Sequence, residues 1–405
     1  MERKKILFVA EAVTLAHVGR PLALARMLDP ARFEIHFACA DGYDFCFEGS
    51  DWPRWRIDSI SSTQFLNGLA AGKPVYDEAT LARYVEDDLR LLKEVQPDIV
   101  LGDFRLSLSV SARLAKLPYV ALINAYWSPY VRQHYTVPNL PLTKMLPISV
   151  ANALFGLVRP IAFASHTVPL NRVRRKHGLA PLGGDLRRVY TDADHTLYSD
   201  IPELFPPHDM PASHSYLGPV TWSPPLALPA WWDQLPEEKP IVYVTLGSSG
   251  QGHLLPRVLE ALAPLPLTVL AATAGNIEIA SPPANARVVA FLPGEAAARR
   301  ARLVLCNGGS PTSQQALAAG VPVLGIVSNL DQFLNMNGIA AAGAGTLLRA
   351  DRYDEVQLRL AVQGMLDDAR MADAAKTIAQ LFAACDPGAH LTALLERPPR
   401  SAATD

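Results

Sequence analysis

Residues 306 to 337 read CNGGSPTSQQALAAGVPVLGIVSNLDQFLNMN, and several of their side chains could do chemistry. The apolar run LVLC ends at Asn307, Gly308 and Gly309, and Ser310 and Thr312 then open an Ala-rich helical segment. A strand that ends in a glycine turn opening a helix presents unpaired backbone N–H groups at the positive helix end, which suits a phosphate. The two glycines let a ligand come close to the backbone, and the hydroxyls add donors. Glycine at such a turn is common by itself. The second half of the stretch adds to it, because VPVLGIV is followed by Asp331 and Gln332, whose side-chain oxygens suit sugar hydroxyls.

Groups of this kind need a rigid frame. In KKILFVAEA a short apolar run of buried-strand type stops at Glu11, and in RPLALARML the leucines have helical spacing, with Pro21 placed to start the helix. FEIHFAC, PDIVLGD and YVALIN read as further strands, separated by the helical TLARYVEDDLRLLKEV and LSVSARLAKLP. The alternation restarts at KPIVYVTLGSSG and runs on through ARVVAFLP, ARLVLCNGG and VPVLGIV. Strands alternating with helices predict an α/β protein with parallel sheets and right-handed crossovers. The proline-rich residues 217–240 cannot continue a helix or a central strand and read as a linker. Two open sheets so joined would place a ligand cleft between them.

The length of 405 residues and 49% apolar composition allow a large core in two domains. A formal net charge of −2 gives no global pull toward nucleic acid or an acidic membrane. Cys39, Cys46, Cys306 and Cys385 have neither zinc-type nor CxxC spacing and read as buried thiols in a reducing, cytoplasmic protein. The N-terminal apolar run is too short for a signal peptide, and no run approaches the roughly 20 apolar residues that span a bilayer. Stable membrane insertion is therefore not expected. Neither HExxH, GxxxxGK[ST] nor GxSxG occurs, which argues against a zinc hydrolase, a P-loop nucleotidase and an α/β-hydrolase. The Asp192-x-Asp194 pair reads as a solvated turn, and RVRRKHGL, residues 172–179, as a solvated helix face, with a transient membrane or lipid-acceptor contact, together with the apolar ISVANALFGLVRPIAFA before it, as the alternative.

The stretch quoted first resembles the donor signature of the GT-B nucleotide-sugar glycosyltransferases of the UDP-glycosyltransferase type, usually written HGGxGTxxEALxxGVPxxxxPxxxDQxxNA. ILFVAEAVTLAHVGRPLALARML resembles their opening, and VYVTLGSSG the loop that starts their second domain. The resemblance implies two Rossmann-like domains facing across a cleft: residues 1–216 binding the acceptor, 217–240 the linker, 241–385 binding the donor, and 386–405 a tail that packs back on the first domain. His17 matches the general base and Asp103 the acid that orients it. A histidine paired with a carboxylate is what activating a poor nucleophile requires.

By the same resemblance Asn307, Gly308, Gly309, Ser310 and Thr312 form the diphosphate cradle, with Ser248 and Ser249 on the facing loop. Phe291 frames the nucleotide base, Gln315 meets the ribose, and Asp331 and Gln332 hold the donor sugar. Asn124, Tyr126 and Trp127, in the aromatic NAYWSPYVRQHY, would line the acceptor. Three departures stand out: Asn307 replaces the motif's first His, Gln315 its Glu and Pro311 its Gly. The implied activity is inverting transfer from a UDP- or TDP-sugar, used as a co-substrate, to a hydroxyl of a small aromatic or lipophilic acceptor. No cofactor and no metal is implied, and the partners are that donor and acceptor, with the chain acting as a monomer or homodimer. Two alternatives share the cradle: a GT-B-fold sugar-nucleotide epimerase, and a non-catalytic nucleotide-sugar-binding partner.

Overall fold

The computed structural model describes residues 3–224, 226–236, 238–247, 251–275 and 277–397. It divides into two compact units, one of residues 1–132, 152–220 and 385–405, the other of 133–151 and 221–384. These limits depart from the expected ones. Residues 133–151 group with the second unit, where Asn139 N–H donates to the Ser328 carbonyl (2.7 Å) and Thr143 Oγ1 to Asp351 Oδ2 (2.7 Å). Such distant pairing leaves no local trace in the sequence.

The first unit holds strands β1 (Lys4–Ala10), β2 (Phe33–Cys39), β3 (Arg54–Arg56), β4 (Ile99–Asp103), β5 (Tyr119–Ile123), β6 (His195–Tyr198) and β7 (His214–Tyr216). They form one sheet in the order β3-β2-β1-β4-β5-β6-β7, every pairing parallel. The second unit holds β8 (Ile241–Thr245), β9 (Thr268–Ala272), β10 (Ala286–Val289), β11 (Leu303–Cys306), β12 (Val323–Val327) and β13 (Gly345–Arg349). Their order is β10-β9-β8-β11-β12-β13, again parallel. Helices cover both faces of such sheets, which is why β4, β5, β8, β9 and β12 are buried along their whole length.

In both sheets the strand order reverses once, between β1 and β4 in the first and between β8 and β11 in the second. Loops leaving the carboxyl ends of such strands diverge and leave a crevice, the usual ligand position in open α/β sheets.

Beneath the β1 and β4 loops lies a buried charged cluster. Arg105 Nη1 donates to Glu11 Oε2 (2.8 Å) and Arg105 Nε to Asp88 Oδ1 (3.0 Å), with all three residues at most 1% exposed. Ser107 and Ser111 hydroxyls also donate to Asp88. Burial raises the Glu11 carboxyl despite the adjacent guanidinium. Glu11, which interrupts the first apolar run, is thus an anchor that fixes where the first loop leaves its strand.

Pro21 does not start its helix, Leu15–Arg26, but lies inside it. Its missing N–H leaves the carbonyl of His17, four residues earlier, without the usual helical donor. The helix Ile148–Lys176 also corrects the sequence reading, since by length and composition it could cross a membrane. Asn152, Arg159 and Ser165 break the apolar run without lowering its average enough. In RVRRKHGL, Arg174 is not solvated: it is buried, with Nη1 2.7 Å from Asp192 Oδ2. The helix Pro387–Glu396 packs on the first unit, where Lys4 Nζ donates to the carbonyls of Leu395 (3.0 Å) and Glu396 (2.8 Å).

Two histidines give the first unit a pH dependence. Burial, and then His390, pushes His195 down to about 4, and burial, with His195 beside it, does the same to His214. An unfolded chain protonates both near 6.5. Between those values the unfolded state binds more protons, so stability is full above about pH 6.5 and falls as the pH drops toward 4. The melting temperature is expected to fall by roughly 5 °C between about pH 7 and pH 5, and by less in His195→Gln, in a calorimetric series.

Candidate active site

His17 stands in the first turn of the helix that follows β1, and Asp103 ends β4 beside Ala10. The strand register therefore brings together two residues 86 apart in sequence: His17 Nδ1 lies 2.7 Å from Asp103 Oδ1. Asp103 is fully buried and the His17 side chain is 20% exposed. With Nδ1–H donated to the carboxylate, Nε2 is the basic nitrogen left for another partner. Burial works to raise the Asp103 carboxyl, and Arg20 and His17 beside it more than offset this, so it stays below the ordinary carboxylate value.

Arg20 escaped the sequence reading. One turn after His17, it grips the same carboxylate with Nε (2.8 Å to Oδ2) and Nη2 (2.9 Å to Oδ1). Its Nη1 donates to Asn124 Oδ1 (2.8 Å) and Ser199 Oγ (2.9 Å), and Asn124 Nδ2 donates to Asp200 Oδ2 (3.2 Å). Asn124, expected to line the acceptor, is instead part of this buried frame. Phe104 was missed too. Its φ of 59° is in the left-handed region, which an aromatic residue seldom adopts, and its ring stacks on His17 at 4.8 Å.

An aromatic wall continues from there. Phe104 touches Tyr190 (5.4 Å), Tyr190 touches Trp127 (5.1 Å), and Trp127 touches Phe163 (6.5 Å). All four are half-buried. Tyr126, by contrast, is 1% exposed against Phe205, so it belongs to the core and offers an acceptor no surface.

In the second unit the glycine turn follows β11 and opens the helix Ser310–Ala318. Gly308 has φ of 80°, and a Cβ there would meet Val327 Cγ1 at 2.5 Å and Met336 Cγ at 2.8 Å. Gly309 is the N-cap and supplies no side-chain cap to this helix. Asn307 Oδ1 accepts from Gly309 N–H (3.1 Å), and Asn335 Nδ2 donates to the Gly308 carbonyl (2.8 Å). Asn307 thus shapes the turn, with its side chain beside Gly247 at the end of β8. Ser310 is buried and Thr312 half-buried. Ser248 and Ser249 lie outside the described residues.

Residues 257–392 match the family described as erythromycin biosynthesis protein CIII-like, C-terminal domain. The chain is 52% identical over 380 residues to a PGL/p-HBAD biosynthesis glycosyltransferase of Mycobacterium tuberculosis, covering 94% of this chain and 89% of the relative. It is also 52% identical to a PGL/p-HBAD biosynthesis rhamnosyltransferase of Mycobacterium bovis, covering 94% and 84%. The chain belongs to the GT-B nucleotide-sugar glycosyltransferases. Its fold is that of spinosyn rhamnosyltransferase SpnG, with a TM-score of 0.70 at 22% identity over 96% of this chain and 100% of that one. SpnG has also been solved with thymidine diphosphate and with the spinosyn aglycone.

Two donor-side expectations for this glycosyltransferase meet a different geometry. Gln315 Nε2 donates to the Trp222 carbonyl (2.6 Å) and Ser223 Oγ (3.1 Å), so its amide fastens the segment after residue 220. Gln332 is 3% exposed and closes a capping box, its Oε1 accepting from Ser328 N–H (2.8 Å), while Asn329 Oδ1 accepts from Gln332 N–H (3.0 Å). Its Oε1 thus shapes the turn that presents Asp331. Phe291, just beyond β10, is 53% exposed and packs beside Gly275 at the end of β9. The Asp192 carboxylate is taken by Arg113 and Arg174, and Asp194 accepts from Tyr119 N–H.

Arg20→Ala would leave the buried Asp103 without its guanidinium partner. The expected result is a roughly 10- to 100-fold lower kcat, with the acid limb of the kcat/KM profile moved to higher pH, because an unneutralised carboxylate favours the imidazolium more strongly. Arg20→Lys should recover part of the rate. A purely structural role would lower the melting temperature and leave the pH profile in place.

Proposed function

We propose that this glycosyltransferase moves a sugar, with inversion, from a UDP- or TDP-sugar to a hydroxyl of a small aromatic or lipophilic acceptor. His17 Nε2 takes the proton of the acceptor hydroxyl, and Asp103, holding Nδ1–H, stabilises the imidazolium that forms. The acceptor oxygen bonds to the anomeric carbon as the bond to the nucleoside diphosphate breaks, from the opposite face. Amides at the start of the helix Ser310–Ala318, with Thr312, take up the negative charge of the departing diphosphate, a role that asks for no metal ion. Phe291 stacks on the base.

The observation that carries this reading is topological. In each sheet the candidate groups stand at the carboxyl ends of the two strands at which strand order reverses: His17 after β1 and Asp103 at the end of β4, Gly247 after β8 and residues 307–312 after β11. The wall of Phe104, Tyr190, Trp127 and Phe163 beside His17 supports a flat or lipophilic acceptor. The relative named a rhamnosyltransferase makes TDP-rhamnose the first donor to try.

The test is donor consumption across a panel of phenolic and alkyl alcohols, with products read by mass spectrometry and a chelator in parallel. Nucleoside diphosphate release that requires an acceptor, yields its glycoside and survives the chelator is expected. A rearranged sugar nucleotide formed without acceptor would indicate an epimerase, and binding without turnover an auxiliary protein.

A further inference from the structure

The helix Ile148–Lys176 carries an apolar stripe that the described residues leave exposed. Leu154, Leu157, Val158, Ile161 and Val168 are all exposed, Leu157 at 75% and Ile161 at 71%. Their spacings of three, four and seven put them on one side of the helix. Carried on in the same phase, that side ends in Arg172, Arg175 and Lys176, which are exposed as well. The other side is fastened: Leu170 and Val173 are buried in a core cluster with Val13 and Tyr84. The C-terminal half therefore belongs to the fold and is not free to thread a bilayer, while the stripe faces outward.

Charge says what covers it. From Phe104 to Gly184 the chain contains ten Lys and Arg residues and no Asp or Glu, although Arg105, Arg113 and Arg174 are paired with carboxylates inside the fold. Glu78, from another helix, pairs with Arg172 and Lys176 and neutralises part of the basic end, leaving Arg175 exposed at its tip. An exposed apolar stripe that ends in cations matches the headgroup boundary of an anionic bilayer. We propose that this face docks the enzyme on an anionic lipid surface, with Leu157 and Ile161 entering the acyl boundary and Arg175 meeting lipid phosphates. Docking does not depend on the sugar or acceptor used, so its failure would leave the transfer reading untouched.

The test is co-sedimentation of the full chain with extruded vesicles of phosphatidylcholine alone or mixed equally with phosphatidylglycerol, alongside the solution mass. Wild type is expected to bind the anionic vesicles, less so in high salt. Leu157→Ser with Ile161→Ser should weaken binding at least tenfold and Arg175→Glu about fivefold. Because these side chains are exposed, the melting temperatures of the variants should match wild type, which separates lost docking from lost folding. Equal binding to both vesicle types, or unchanged binding by the double variant, overturns the proposal. So does a wild-type dimer that the double variant splits without any lipid binding, which would assign the stripe to a second copy of the chain.

Discussion

His17→Ala should lower kcat by roughly 10²–10⁴-fold, the usual contribution of a positioned general base. Donor affinity should stay within about twofold, because the imidazole stands in the first unit and the diphosphate is assigned to the second. The size of the loss should follow the acceptor. A phenol, with a pKa near 10, already gives up its proton far more readily than an alkyl alcohol, so the deficit should be smaller for phenols. Asp103→Asn should reproduce most of the loss, since the amide cannot stabilise an imidazolium, although Arg20 would then face it without a counter-charge. Steady-state kinetics with one phenolic and one aliphatic acceptor check all of this. Retention of rate within threefold for both would remove His17 from the mechanism.

Gly308→Ala should act on the other half of the chemistry. The added methyl would sit 2.5 Å from Val327 Cγ1 and 2.8 Å from Met336 Cγ, at a φ of 80° that alanine adopts only with strain. Left-handed strain costs about 1 kcal/mol and overpacking a further 1–3 kcal/mol, so a loss of about 2–4 kcal/mol in the stability of the second unit is expected. Relief must come from moving the turn, which also displaces the amides assigned to the diphosphate. Donor affinity should therefore fall by at least about tenfold, a cost comparable to one charge-assisted hydrogen bond. Val327→Ala in the same chain should restore part of both losses, because the two sites touch. Calorimetry and titration with thymidine diphosphate read the two effects separately. Wild-type melting and wild-type affinity in the single variant would contradict this account of the turn.

What the sequence disclosed follows from how far each signal reaches. Strand–helix alternation, the glycine turn and the proline-rich break are written within ten to twenty neighbouring residues, and all of them can be read directly. His17 and Asp103 could be picked out by resemblance, but their 2.7 Å contact depends on β1 lying beside β4. Arg20 gave no comparable sign. Its role exists only because one turn of helix aims its guanidinium at a carboxylate 83 residues away.

One signal was present and unused. Glu11 and Arg105 are charges set inside apolar segments, and a charge that folding must bury needs a partner, so two such charges of opposite sign were candidates for each other. Gln315 and Gln332 mark the opposite limit. Their types suit a donor, yet one amide ties down Trp222 and the other closes a capping box, uses that motif matching does not distinguish from ligand binding. Residues 133–151 pair with strands far along the chain, which no local pattern could announce.

The most direct measurement is a crystal structure of the enzyme with a nucleoside diphosphate and an acceptor bound. It should show diphosphate oxygens about 2.7–3.1 Å from backbone amides of the turn at residues 308–312, and the acceptor hydroxyl within hydrogen-bond reach of His17 Nε2. A diphosphate bound away from that glycine turn, or an acceptor hydroxyl out of reach of the imidazole, would contradict it.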